Sequence, residues 1–147
     1  MLQIGLWFLI VFIFSWLLGP FTQLIMIISP KLHQKMGFME KKAYLPEFRW
    51  YALIHRGTAY ADMSFLLSGA VFVIGALLEK SWCIPFGFFA CAVYVYFSLT
   101  YIFQTILLTK NELSPISRSQ LPACFLYGAA FFVFGLYGMF YLSRFQL

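Results

Sequence analysis

The chain has 147 residues, of which 63% are hydrophobic, 22% aromatic and only 10% charged. A soluble domain is about 45–50% apolar and about 25% charged, so this composition excludes an ordinary soluble fold and points to a membrane. The net charge of +5 is not a nucleic-acid signal, because the basic residues are sorted by loop.

Four apolar runs, at 4–28, 58–78, 84–108 and 121–142, each exceed the roughly 20 residues that carry a helix across a ~30 Å hydrocarbon core. None alternates polar with apolar residues, which excludes a lipid-facing barrel. The expected fold is an all-α membrane protein, a four transmembrane helix bundle filling 1–147 as one domain. The first run is expected to be a span and not a cleaved signal. No Lys or Arg precedes it, it is too long, and no small-x-small cleavage site closes it.

Helix 1 is rich in Phe, Trp, Leu and Ile and carries Gly19-Pro20, where proline removes a backbone donor and predicts a kink over 16–20. Thr22 and Gln23 follow. The first loop, 30–49, is longer than most connections and predicts an ordered cap or a short interfacial helix. Together with the start of helix 2 it holds Lys31, Lys35, Lys41, Lys42, Arg49 and Arg56, a set suited to anionic headgroups.

Helix 2 starts near Trp50 and enters the apolar layer around Thr58. On a helix of about 100° per residue, Tyr51, His55, Thr58, Asp62 and Gly69 share a ~60° sector. This polar stripe is the expected place for binding or chemistry. A short turn with Trp82 and Pro85 leads into helix 3, where Gly87, Cys91, Tyr94, Ser98, Tyr101 and Thr105 share a sector of ~80°. That face suits helix packing at least as well as a site. Helix 4, opened by Leu121-Pro122, presents Cys124, Gly128 and Gly135 on one side, with Gly138 nearby.

The third loop adds Lys110 and Arg118, whereas the opposite side has only Lys80 and Arg144. The positive-inside rule therefore puts loops one and three in the cytoplasm and both termini outside. The location implied is a bacterial inner membrane or a eukaryotic endomembrane. Cys83, Cys91 and Cys124 are too few and too irregularly spaced for a disulfide framework or a zinc site. No metal is expected.

Counting 1.5 Å per residue from the outer surface puts Asp62, Tyr101 and Pro20 all ~24 Å deep, about one turn below the cytoplasmic face. An acid in hydrocarbon costs on the order of 2.5–3.5 kcal/mol, so Asp62 must find a partner or take a proton. The candidate ligand-binding residues are Tyr51, His55, Arg56, Thr58, Asp62, Tyr94, Ser98 and Tyr101. Asp62, His55 and Tyr101 are the candidate catalytic groups. His55 and Asp62 stand two turns apart, ~10 Å along the axis, so they form no dyad by themselves. There is no nucleophile motif, phosphate loop or metal-spaced histidine pair.

In length, four helices, outward termini, a basic first loop, Pro46-Glu47-Phe48-Arg49 ahead of helix 2, Asp62 within it, and Tyr94, Tyr96 and Tyr101 in helix 3, the chain resembles the MAPEG family of small four-helix membrane proteins. That resemblance implies a homotrimer with glutathione or lipid held between subunits near the cytoplasmic face. The family's Arg-x-x-x-Asn-x-x-Glu pattern, counted back from Asp62, meets Ala59 and His55, and helix 3 lacks the family's thiol-activating arginine. No cofactor is therefore expected, glutathione being the one the resemblance admits. A second likeness, in size and a glycine-bearing second helix, is to DoxX-like four-helix proteins. The leading expectation is an accessory or binding subunit with a cytoplasm-proximal pocket for a lipophilic ligand or membrane lipid, assembled as a homo-oligomer or in a membrane complex. The alternative is a MAPEG-like transferase or isomerase acting on a lipophilic substrate.

Overall fold

A computed structural model describes residues 4–37 and 41–145, leaving the side chains of Pro20, Lys41, Tyr44, Ser64 and Leu66 outside the described set. The elements in chain order are α1 (Leu6–Ile28), α2 (Pro30–Lys35), α3 (Arg49–Leu77), α4 (Ile84–Lys110) and α5 (Leu121–Ser143). Short 3-10 turns occupy Lys41–Tyr44, Pro46–Phe48 and Ser81–Cys83. No strand occurs among the described residues. Four helices, α1, α3, α4 and α5, are long and apolar enough to cross a membrane.

The helix boundaries follow from local chemistry. Proline stands in the first turn of α2, α4 and α5, where its missing N–H breaks no bond and its fixed φ suits a helix. Ser29 separates α1 from α2, and its Oγ accepts from the Leu32 amide at 3.3 Å. Gly19-Pro20 does not break α1, which is helical on both sides of the pair. The Thr22 hydroxyl donates to the Gly19 carbonyl at 2.7 Å, so this stretch keeps its polar groups within its own turn.

Helices α3 and α4 end in the same way. Glu79 and Glu112 adopt left-handed φ values of 55° and 59°. Beyond α3, the Lys80 amide donates to the Gly75 carbonyl at 2.9 Å and the Glu79 amide to Ala76 at 3.1 Å. Beyond α4, the Leu113 amide reaches Leu108 at 2.9 Å and the Glu112 amide reaches Thr109 at 3.2 Å. These are Schellman closures, which satisfy the last carbonyls of a helix.

Helix α3 packs on both α1 and α4, and the most extensive contact joins α4 to α5. Glycines set these approaches. A Cβ on Gly135 of α5 would stand 2.7 Å from the Cys91 carbonyl oxygen and 3.0 Å from the Val95 amide nitrogen of α4. Only a residue without a side chain lets the two backbones come so close.

The core is concentrated at one end of the bundle. Phe8, Phe12, Phe72, Cys83, Ile84, Cys91 and Leu142 are buried there. The Phe12 and Phe72 rings meet edge-on at 4.7 Å, and Phe8 stacks on Tyr141 at 4.5 Å. Tyr141 Oη accepts from the Gly5 amide at 2.7 Å, tying the N-terminal turn to α5. The perimeter remains apolar, with Trp7, Leu67 and Leu126 more than two-thirds exposed. One end of the bundle is dense and aromatic; the other is hollow.

Candidate functional site

The hollow end lies where the C-terminal halves of α1 and α4 meet the N-terminal halves of α3 and α5. It holds a partly enclosed cavity of about 400 Å³. Thr22, Gln23 and Met26 line it from α1, Tyr51 and His55 from α3, and Phe97 and Tyr101 from α4. Ala123, Cys124 and Tyr127 line it from α5, with Gln120 at that helix's N-cap. The two longer connections contribute His33, Gly37 and Ile116 to the wall. Among the described residues no Lys, Arg, Asp or Glu stands in this wall. Those that line it are polar and aromatic, and carry no formal charge at neutral pH when the imidazoles are unprotonated.

A second, narrower chamber of about 50 Å³ adjoins it. Gln23, Phe97 and Tyr127 stand in both walls. The remaining lining is Gly19 of α1, Asp62 and Phe65 of α3, Val93 and Tyr94 of α4, and Phe131 of α5. Asp62 is half-buried and is the one carboxyl in either wall among the described residues.

The structure thus divides the residues singled out in the sequence into three groups. Tyr51, His55 and Tyr101 line the outer cavity. Asp62 and Tyr94 line the inner chamber. Arg56, Thr58 and Ser98 line neither. Thr58 is exposed and donates to the Ile54 carbonyl at 3.1 Å, while Ser98 is fully buried and donates to the Tyr94 carbonyl at 2.6 Å. Both hydroxyls are engaged by their own helix, a usual fate for Ser and Thr in apolar helices. Arg56 has a buried Nε with no hydrogen-bond partner among the described residues.

Gly19, the residue before Pro20, lines the inner chamber together with Asp62, and Tyr101 lines the outer one. Tyr127 links the two, its ring edge-on to Tyr101 at 5.9 Å. Residues that the polar pattern did not single out complete the site: His33 and Gln23, Phe97, Cys124 and Tyr127. Gln23 and His33 are visible in the sequence as polar groups bordering apolar runs. Phe97 and Tyr127 have no such signal among so many aromatics.

His33, on α2, is only 5% exposed. Burial pushes its imidazole below the ordinary histidine pKa, favouring the neutral ring. Among the described residues no group of three His, Cys, Asp or Glu side chains is gathered closely enough to hold a metal ion. The thiols of Cys83, Cys91 and Cys124 are free.

Fold and site together define a helical bundle with four candidate membrane-spanning helices and a two-chambered cavity at one end. Comparison with family models, with characterised proteins and with solved structures finds no match to the chain.

Proposed function

We propose that this chain is a four-span integral membrane protein that acts as a binding or accessory subunit, taking a lipophilic ligand or lipid into the outer cavity. The observation that carries the reading is the polar-aromatic wall of the ~400 Å³ cavity, which includes Tyr51, His55 and Tyr101 and, among the described residues, no Lys, Arg, Asp or Glu. Ligand sites are commonly of roughly 300–1,000 Å³, with aromatic walls and a few converging polar groups. The apolar perimeter supports insertion in a bilayer, and the charge sorting supports loops one and three on the cytoplasmic side. The cavity then opens at the inner headgroup level, where an amphiphile can enter without leaving the membrane. The same apolar perimeter can serve self-association or a partner in a larger complex.

The test is binding of a neutral amphiphile, monoolein, to the protein in phosphatidylcholine nanodiscs, read by native mass spectrometry. Wild type is expected to retain one equivalent. Ala123→Trp, which fills the cavity from α5, is expected to lose it while keeping its helical signal. Equal retention by both proteins removes the cavity from the account.

A second reading, the MAPEG-like transferase or isomerase, is favoured by one feature: His55 and Tyr101 share a cavity with the free thiol of Cys124. In that reading they supply acid/base and binding groups. Thiol consumption with glutathione and an electrophile, dependent on His55, distinguishes it from binding alone.

A further inference from the structure

The inner chamber differs chemically from the outer one. Its walls are mostly aromatic, and its one charged group among the described residues is the Asp62 carboxyl. The aromatic side chains brace one another: Tyr127 meets Phe131 at 4.7 Å, Tyr94 meets Phe131 at 5.4 Å, and Phe97 meets Tyr127 edge-on at 6.4 Å. No hydrogen bond or ion pair engages the Asp62 carboxyl among the described residues. An ionised carboxyl in such surroundings is costly unless a cation or several donors meet it. Among the described residues no Lys or Arg lines this chamber. Arg56, the nearest basic residue on the same helix, lies ~9 Å away along the axis and lines neither chamber.

We infer that the inner chamber is a subsite for a protonated amine carried on a lipophilic body, the nitrogen against Asp62 and the body in the outer cavity. This rests on the binding reading above and names the class of ligand. Aromatic faces attract organic cations through the ring quadrupole, more strongly when water is excluded. A carboxylate set among them adds a charge-assisted hydrogen bond to any ammonium that still carries a proton. At ~50 Å³ the chamber has room for an amine head, since a single water needs roughly 10–15 Å³ on the same measure. A hard metal cation fits the wall less well. Calcium takes six or more oxygens, whereas the side chains here offer Asp62, Gln23 and two tyrosine hydroxyls. Gln23, Phe97 and Tyr127 stand in the walls of both chambers, so the two parts of such a ligand would lie in neighbouring sites.

The experiment uses tritiated 4-phenylbutylamine and the full chain in phosphatidylcholine nanodiscs, with 4-phenylbutanol as the uncharged competitor of the same shape. Saturable amine binding is expected, with the alcohol competing at least tenfold more weakly. Asp62→Asn, nearly isosteric, is expected to weaken amine binding tenfold or more while monoolein binding persists. Phe65→Leu, which touches the inner chamber alone, is expected to weaken the amine severalfold and leave monoolein unchanged. Equal competition by amine and alcohol, or full amine affinity in Asp62→Asn, overturns the inference. Monoolein binding with no amine binding sinks this inference alone. Binding of neither sinks the binding reading as well.

Discussion

The ring of Tyr51 lies 4.3 Å from the imidazole of His55, one turn further along α3, and both side chains face the outer cavity. The pair contributes to the cavity wall from α3, and Tyr51 is buried to 7% exposure. Tyr51→Phe keeps the ring contact and removes only the hydroxyl. Its melting temperature is expected to match wild type. Its affinity for monoolein is expected to fall by about three- to tenfold, the worth of one net hydrogen bond of about 0.5–1.5 kcal/mol. Native mass spectrometry across a monoolein titration measures this, and an unchanged affinity removes the hydroxyl from the binding wall.

Gly135 faces backbone, so no side-chain rotation can make room for a larger residue there. Gly135→Ala is expected to force α4 and α5 apart and cost about 1–3 kcal/mol, the usual range for overpacking. Gly19, which has open space about its Cα, serves as the control. Gly19→Ala is expected to be neutral or mildly stabilising through helix propensity. Thermal unfolding in one detergent, followed by circular dichroism, compares the two.

The left-handed residues that end α3 and α4 are glutamates, not glycines. A side chain in that conformation costs roughly 1–2 kcal/mol, part of which glycine loses again through unfolded-state entropy. Glu112→Gly is therefore expected to raise stability by up to ~1 kcal/mol. Glu112→Val, β-branched at φ 59°, is expected to lower it. Thermal unfolding of the pair against wild type reads both signs.

Burial holds the His33 imidazole below its ordinary pKa, so the unfolded chain takes up this proton at a higher pH than the folded one. Between the two values the unfolded state binds more protons, and stability rises with pH. This contribution is complete above about pH 6.5, the unperturbed histidine value, and is lost as pH falls towards the folded pKa. Melting temperatures at pH 7.5 and 5.5 are expected to show a larger acid-induced drop in wild type than in His33→Gln. Equal drops contradict the assignment.

The four long helices were legible because length and apolarity alone decide them. The runs at 58–78 and 84–108, with the second helix starting near Trp50, correspond to α3 (Arg49–Leu77) and α4 (Ile84–Lys110). The site was less legible. Tyr51, His55 and Tyr101, singled out by the polar pattern, line one chamber, and Asp62 and Tyr94 line its neighbour. Rotation about each axis is set by packing, and in helices this apolar a polar sector does not say which of its residues share a cavity. Ser98 and Thr58 sat in the polar sectors but spend their hydroxyls on their own helices. Phe97 and Tyr127, which join the two chambers, are indistinguishable in sequence from the aromatics of the outer surface.

The most direct test of a ligand site at the hollow end is photolabelling with a diazirine-bearing fatty alcohol in nanodiscs, mapped by peptide mass spectrometry. Adducts are expected on the peptides bearing Tyr51 and His55, Phe97 and Tyr101, and Cys124 and Tyr127, and excess monoolein is expected to suppress them. Adducts spread over the perimeter around Leu67 and Leu126, or about Phe8 at the dense end, with no protection by monoolein, would contradict the account.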